Sequence, residues 1–249
     1  MAPYQEKQDQ EKKAFGVEEI EEACPIMAAC SALSERWTLQ IVREMFMGAT
    51  RFSELETYLP KMSPTLLSKR LRSLEEQGIV LKKKLSGKKG YEYRLTPQGQ
   101  ALKPVLTEMG RWGMGWVFDT MDQYELDAAV LVRDFAVAMK LDELPSGDAT
   151  FQFIVTGEDA AIRRYVMVRD GSTEVCNQDL GYEADVYLTA DLKTYGRIWY
   201  GEVTVADAVE KGILKVVGNR AYTDCVSRWL GTSQFAACNR HGNSAADQA

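Results

Sequence analysis

The amino-acid sequence predicts an α+β chain with two folded domains of different build. Apolar residues recur at helical spacing between residues 24 and 78, and the period then changes to that of strands around a lysine-rich turn. A second block of strand-like alternation begins near residue 151 and is followed by helical segments. The 249 residues also exceed the usual size of one domain, which is about 100–150 residues.

The first half of the chain begins with two predicted helices. One spans residues 25–48, carries its apolar side chains on one face and bends near Ser34. The other spans residues 51–59 and ends at Pro60, which lacks the amide hydrogen that a helix interior requires. Both helices therefore have an apolar face that the rest of the domain is expected to cover.

A third helix is predicted from signals at both of its ends. Ser63 is suited to cap the helix, Pro64 to occupy its first position and Gly78 to end it. Leucines at i, i+4 and i+7 form its apolar face, namely Leu67, Leu71 and Leu74. The opposite face carries small polar and basic side chains, which are expected to face outward.

The hydrophobic period changes to two after Gly78. Residues 79–85 and 91–95 are predicted to form strands around a turn rich in glycine and lysine, which makes a β-hairpin. One further helix is predicted from Thr96 to Trp116, and its apolar stripe is wide enough to suggest a partner surface. The order of helix, short helix, turn, polar-faced helix and basic hairpin is that of a winged helix-turn-helix.

A winged helix-turn-helix of this composition is suited to bind DNA. The polar face of the third helix can enter the major groove, and lysines of the hairpin can lie against phosphates. The predicted DNA-binding residues are Arg51, Ser53, Ser63, Pro64, Thr65, Ser68, Lys69, Arg70, Arg72, Lys83, Lys84, Lys88 and Lys89. Two alternatives stay open: the lysines protect a solvated strand edge, or the helix is a plain surface helix.

Charge is distributed unevenly along the chain, whose net charge is −6. Residues 24–118 carry 15 Lys or Arg against 8 Asp or Glu, whereas residues 119–249 carry 12 against 21. A polyanion would therefore be attracted to the first domain alone. The predicted organisation is a flexible acidic leader (1–23), a DNA-binding domain (24–118), a linker helix (119–148), an α+β domain (149–235) and a flexible tail (236–249).

Several classes of site are not expected. The single histidine, His241, lies in the polar tail, so histidine-dependent triads, general bases and metal clusters are not predicted. The sequence has neither a phosphate-binding loop nor a dinucleotide fingerprint, and its five irregularly spaced cysteines fit reduced thiols. We therefore predict a cytoplasmic chain that is not an enzyme and has no catalytic residues, metal, cofactor or membrane segment.

Several short motifs occur in a fixed order in the first domain. They are Cys24-Pro25, Leu33-Ser34-Glu35-Arg36-Trp37-Thr38-Leu39, Arg51-Phe52-Ser53-Glu54-Leu55, Ser63-Pro64, Leu67-Ser68-Lys69-Arg70-Leu71, Leu74-Glu75-Glu76-Gln77-Gly78 and Tyr91-Glu92-Tyr93-Arg94-Leu95-Thr96-Pro97-Gln98-Gly99. In this order they resemble the HxlR-type regulators. The resemblance implies a homodimer, held by the N-terminal and last helices of the domain, on a pseudo-palindromic operator. It also implies a recognition helix at Ser63–Gln77, a wing at Lys82–Lys89 and, in some members, an oxidant-sensing cysteine placed like Cys24.

The second half alternates between strand-like and helical segments. Strands are predicted at residues 151–155, 164–168, 174–176, 185–189 and 214–218, with helices at 192–200 and 204–211. The motifs Asp185-Val186-Tyr187-Leu188-Thr189, Trp199-Tyr200-Gly201-Glu202 and Gly212-Ile213-Leu214-Lys215-Val216-Val217-Gly218 resemble sterol-carrier-protein-2-like domains. Such a domain implies a cavity for a small hydrophobic molecule. Its lining is predicted from Phe151, Phe153, Tyr195, Trp199 and Trp229, for which packing in the core is the alternative role.

These features predict a dimeric, sequence-specific, DNA-binding transcriptional regulator. In this interpretation it is a repressor that responds to a small hydrophobic effector held in the C-terminal domain. Its predicted partners are double-stranded DNA, a second copy of the chain and the effector. Two other functions stay open: a redox-sensing regulator that acts through Cys24, and a lipid-type carrier that has a basic module.

Overall fold

The computed structural model describes residues 24–85, 90–118, 126–145, 148–157, 160–176, 181 and 183–238. The chain divides into two compact units, residues 1–108 and 109–249. The predicted leader, most of the predicted tail with His241, and the turn lysines Lys88 and Lys89 lie outside the described residues. Helices and sheets are present in both units, which confirms the predicted α+β class.

Four helices open the described part of the first unit. They are α1 (Pro25–Leu33), α2 (Thr38–Phe46), α3 (Phe52–Tyr58) and α4 (Pro64–Glu76). A turn at residues 34–37 separates the first two, at the bend predicted near Ser34. Trp37 in this turn has a φ of 80°, which is an unusual backbone conformation for a bulky side chain.

The sequence signals that predict α4 also explain how it is capped and anchored. The Ser63 hydroxyl accepts a hydrogen bond from the Leu66 amide at 3.3 Å, and Pro64 occupies the first helical turn. The leucines of the predicted apolar face are all buried, namely Leu67, Leu71 and Leu74. Full burial of one such side chain contributes about 1.5–3 kcal/mol, so this stripe determines which face of α4 points outward.

The predicted hairpin forms from two antiparallel strands, β1 (Val80–Lys84) and β2 (Tyr91–Leu95). The residues before α3 extend this small sheet. The Tyr93 amide donates to the Thr50 carbonyl at 2.7 Å, and Arg51 forms a β-bridge with Glu92. The hairpin is therefore attached to the helix-turn-helix by backbone hydrogen bonding as well as by the chain itself.

The single helix predicted from Thr96 to Trp116 is in fact two helices. These are α5 (Pro97–Gln100) and α6 (Lys103–Trp116). Thr96 caps α5, because its hydroxyl accepts a hydrogen bond from the Gly99 amide at 3.1 Å. Pro104 explains the break, since proline has no amide hydrogen to continue the helical ladder but is tolerated in a first turn. Residue 108, the last of the first unit, lies within α6 and precedes the predicted boundary at 118.

The second unit contains a five-stranded sheet. Its strands are β3 (Ala149–Thr156), β4 (Ile162–Arg169), β5 (Ser172–Cys176), β6 (Val186–Asp191) and β7 (Lys215–Gly218). The spatial order is β5-β4-β3-β6-β7, in which β3 and β6 are parallel and the other neighbours are antiparallel. Each strand predicted in this half is present, and no strand end differs from its predicted position by more than two residues.

Five α-helices and a short 3-10 helix (Leu141–Glu143) accompany this sheet in the described residues. The α-helices are α7 (Ala128–Ala138), α8 (Leu192–Trp199), α9 (Val205–Glu210), α10 (Arg220–Thr223) and α11 (Val226–Trp229). α7 lies within the predicted linker, residues 119–148, but Leu131, Val132 and Phe135 are buried in the core of the second unit. The linker assignment is therefore wrong for α7. A helix that is apolar on most sides is a core element, and the second unit begins before residue 149.

Aromatic side chains form the centre of the second core. Phe151 packs on Trp229, with ring centroids 4.8 Å apart, and Phe135 packs on Trp199 at 5.2 Å. The Tyr195 hydroxyl donates to the Leu188 carbonyl at 2.8 Å, and burial raises the pKa of Tyr195. All five aromatic residues predicted to line a cavity are buried against other rings: Phe151, Phe153, Tyr195, Trp199 and Trp229. These contacts give them a packing role, and a lining role stays a prediction.

Candidate nucleic-acid interface

α4 presents a polar face on the side away from its buried leucines. The exposed residues of this face are Thr65, Ser68, Lys69 and Arg72. They are spaced at i, i+3, i+4 and i+7, so they share one side of the helix. Ser63 and Pro64, which are also exposed, lie at its N-terminal end. Short polar side chains allow a helix to approach base edges closely, and the two cations can reach bases or phosphates.

Arg51 and Ser53 lie at the beginning of α3, the first helix of the helix-turn-helix. The Glu54 carboxylate accepts hydrogen bonds from the amides of Thr50 at 2.7 Å and Arg51 at 2.8 Å, which orders this start. Ser53 is exposed, whereas Arg51 is half-buried beside the hairpin. Of these two predicted DNA-binding residues, Ser53 is thus the more accessible.

Glu92 on β2 lies among three cations. The Arg94 guanidinium is 3.1 Å from the Glu92 carboxylate, Lys83 is its cross-strand partner, and Arg51 is its bridge partner. The hydrogen bond from Arg94 lowers the pKa of the Glu92 carboxyl, and the charges of Lys83 and Arg51 lower it further. Arg94 is missing from the predicted residues although its side chain is 63% exposed. Pairing of the predicted strands would have indicated it, because it lies on the same hairpin face as Lys83.

The other face of the hairpin combines lysines with tyrosines. The Lys82 ammonium lies 4.4 Å from the centroid of the Tyr91 ring and 5.9 Å from that of Tyr93, which are cation–π distances. Lys84, which is exposed, is the cross-strand partner of Tyr91. The described part of the hairpin therefore carries cations on both faces.

Arg70 differs from the other residues predicted to contact DNA. Its Nε donates a hydrogen bond to the Arg36 carbonyl at 3.0 Å, and its guanidinium also forms an ion pair with Glu35. The Arg70 side chain is only 13% exposed. Its donors point to the turn between α1 and α2, so we correct its assignment as a DNA contact.

The described cysteines and acidic residues do not form a metal site. Cys24 is partly exposed and occupies the position before the first residue of α1. Where the structure describes the chain, His, Cys, Asp and Glu side chains do not gather in threes at metal-binding distances. None of the described helices is both long and apolar enough to cross a membrane.

Comparison with known proteins identifies the family of this module. The family model for the HxlR-like helix-turn-helix matches residues 32–121. The HTH-type transcriptional regulator YvaP of Bacillus subtilis is 40% identical over 98 residues, which are 39% of this chain and 91% of YvaP. The chain belongs to the HxlR-like helix-turn-helix family.

Two further similarities concern the same part of this HxlR-like chain. The HTH-type transcriptional regulator sll1512 of Synechocystis is 35% identical over 95 residues, covering 38% of this chain and 70% of sll1512. The solved reduced form of the transcriptional regulator YodB from B. subtilis is 33% identical and covers 37% of this chain and 92% of YodB, with a TM-score of 0.33. The family relatives are transcriptional regulators and not enzymes, and this chain is a DNA-binding regulator of the same class.

Replacement of Glu92 is expected to strengthen DNA binding. The Glu92→Gln variant removes the carboxylate that holds Arg94 and faces Lys83, so these cations become free to contact phosphates. We expect affinity for any duplex to rise roughly two- to fivefold at low salt, with less gain at high salt. Fluorescence anisotropy with two unrelated duplexes measures this effect. Glu210→Gln, an exposed change in the second unit, is the control, and an unchanged or weaker affinity of Glu92→Gln would contradict the expectation.

Proposed function

We propose that this HxlR-like chain is a homodimeric, sequence-specific repressor that reads a pseudo-palindromic operator with α4 and contacts the DNA backbone with the hairpin. The observation that carries the proposal is the division of α4 into a buried leucine face and an exposed polar and basic face. A helix of this kind fits the major groove, which is about 12 Å wide. We assign base reading to Ser68 and Arg72, and phosphate contact to Lys83 and Lys84.

Substitutions on α4 and on the hairpin are expected to have different effects. Arg72→Ala should cost about 1–3 kcal/mol of binding and relax the preference at one operator position, because a base contact is lost. The Lys83→Ala/Lys84→Ala double variant should weaken binding to all duplexes alike and lower the salt slope by roughly two. Titrations at several salt concentrations, with a duplex selected by the wild-type protein and a scrambled duplex, measure both effects.

An exposed lysine of the second unit provides the control for this experiment, since Lys211→Ala should leave both duplexes unaffected. The assignment fails if Arg72→Ala weakens both duplexes equally. A chain that bound neither duplex in a salt-dependent manner would support the alternative of a lipid-type carrier.

Exposed apolar surfaces on two helices support the proposed dimer. In α1, Ile26 is 72% exposed and Met27 is 52% exposed. In α6, the exposed large apolar residues are Val105, Met109, Trp112 and Trp116. Gly113 lies on the same face of α6. A Cβ atom added there would have no neighbouring atom within 4 Å, so the surface at Gly113 has room for a neighbouring helix. Exposed apolar side chains of this size along one helix are typical of a surface that a partner covers, and a second copy is the partner we propose.

A negatively charged side chain in the middle of the exposed apolar face of α6 is expected to dissociate the proposed dimer. Trp112→Glu would place a carboxylate where a large aromatic side chain is buried in the proposed dimer, at a cost of about 2–4 kcal/mol. Analytical ultracentrifugation should then show a dissociation constant at least roughly thirtyfold higher. Ile162→Glu, an exposed apolar position of β4, is the matched control. A Trp112→Glu protein that sediments like the wild type would rule out this surface.

The second unit is our proposed effector domain. We propose that it is a sterol-carrier-protein-2-like domain in which a small hydrophobic effector enters between helices and sheet. The resemblance of its motifs supports this, and the effector would enter by opening the ring contacts that Phe151, Phe153, Tyr195, Trp199 and Trp229 make in the core. The effector must bind one conformation of the regulator more tightly than the other, a difference of about 1–3 kcal/mol in typical cases.

Redox sensing through Cys24 is the second candidate for the signal. Cys24 is partly exposed and directly precedes the first residue of α1. A reduced form of the related regulator YodB has been solved. Oxidation at Cys24 would alter the start of α1, which carries part of the proposed dimer surface.

The two signals are separated by comparing wild type with Cys24→Ser. If a hydrophobic effector is the signal, one member of a panel of fatty acids and sterols should change operator affinity about 5- to 150-fold in both proteins. If Cys24 is the sensor, diamide should change the affinity of the wild type and leave Cys24→Ser unchanged. Operator binding is measured by anisotropy after each treatment, with Cys30→Ser as the matched thiol control. An affinity unaffected by both treatments would exclude both signals for these probes.

A further inference from the structure

Arg70 connects α4 to the turn between α1 and α2. Its Nε donates to the Arg36 carbonyl at 3.0 Å, and its guanidinium pairs with the Glu35 carboxylate. The two contacts join residues 34 or 35 positions apart in the chain, so they are tertiary rather than local. One guanidinium therefore binds a backbone carbonyl and a side chain of the same turn.

Arg70 lies on the side of α4 that faces away from the proposed DNA-reading face. With about 100° between successive residues, Arg70 lies roughly 150° around the helix from the centre of the face formed by Thr65, Ser68, Lys69 and Arg72. It is adjacent to the buried leucine stripe, and its side chain is 13% exposed. Its charge is thus directed into the first unit and away from the face proposed to read DNA.

The turn that Arg70 holds is conformationally demanding. Trp37 adopts a φ of 80°, in a region that is strained for a residue with a side chain. The Arg36 guanidinium carbon lies 5.2 Å from the centroid of the Trp37 ring, and Trp37 packs against the core of the unit. The hydrogen bond from Arg70 to the Arg36 carbonyl acts on the peptide group directly before Trp37.

We infer that Arg70 is a positioning residue for DNA reading: it fixes the orientation of α4 by holding the turn at residues 34–37. The leucine stripe selects the outward face of α4 but consists of nondirectional apolar contacts. The guanidinium fork adds directional, charge-assisted hydrogen bonds, which lysine cannot reproduce. The inference rests on the proposed reading role of α4.

Two conservative substitutions separate positioning from phosphate contact. Arg70→Lys keeps the positive charge, so a phosphate contact would survive, whereas the fork between Glu35 and the Arg36 carbonyl is lost. Glu35→Gln removes a negative charge, which by electrostatics alone would strengthen binding to DNA. If Arg70 positions α4, Glu35→Gln should instead weaken DNA binding, because the ion pair that helps to orient α4 is weakened.

The experiment uses the full-length chain, a duplex selected by the wild-type protein from a random library, and a scrambled duplex. We expect Arg70→Lys and Glu35→Gln each to weaken binding to the selected duplex about tenfold, with the scrambled duplex and the salt slope unchanged. The double variant should bind no more weakly than either single variant, because both substitutions disrupt the same interaction between Arg70 and the turn at residues 34–37. Thermal unfolding of each variant verifies that it is folded at the temperature of the titration.

Two control variants distinguish a failure of the Arg70 inference from a failure of the reading role proposed for α4. Glu76→Gln, an exposed acidic position of α4, should strengthen binding slightly or leave it unchanged, and Arg72→Gln should alter sequence preference. The inference is overturned if Arg70→Lys binds both duplexes like the wild type, or if Glu35→Gln binds the selected duplex as tightly as the wild type or more tightly. If Arg72→Gln leaves sequence preference unchanged, the reading role of α4 fails, and the inference fails with it.

Discussion

Burial of Leu67, Leu71 and Leu74 is the interaction on which the rest of the DNA-binding unit depends. These side chains are spaced so that all three reach the core from one helix, and each is almost completely removed from solvent. Rotation of α4 about its axis would expose them, at a cost of several kcal/mol by the usual area estimate. The outward direction of Ser68 and Arg72 follows from this constraint and needs no DNA to be present.

The charges of the hairpin determine how strongly the same unit attracts a polyanion such as DNA. The hairpin places Lys82 and Lys84 on one face and Lys83 and Arg94 on the other, while Glu92 holds part of this charge in a hydrogen bond. A lysine-rich strand attracts DNA without regard to sequence, and the acidic carboxylate limits that attraction. In the proposed function this balance lowers nonspecific affinity, so that the proposed contacts from α4 contribute a larger share of the total binding free energy.

Local sequence signals predicted most of the elements and the division of α4 into two faces. The Ser63-Pro64 cap, the leucine spacing and the change of period after Gly78 each depend on neighbours a few residues away, and the structure bears them out. Arg70 could not be interpreted in this way, because its partners lie 34 and 35 residues earlier. The role of α7 was missed for a related reason, because it packs against strands that come later in the chain. Without knowledge of that sheet, an apolar helix that follows a predicted domain is interpreted as a linker.

The proposed dimer and the proposed role of Arg70 concern the same helix. α1 consists almost entirely of apolar and small residues, yet Ile26 and Met27 are largely exposed within one chain. This helix ends at Leu33, and the turn that follows it carries Glu35 and the Arg36 carbonyl, the two groups that Arg70 binds. A partner that covers α1 would therefore act on an element that is followed directly by the turn that Arg70 of α4 binds. In the proposed dimer, the geometry of the protomer contact and the orientation of α4 are therefore coupled to the extent that a shift of α1 is passed on to Glu35 and the Arg36 carbonyl.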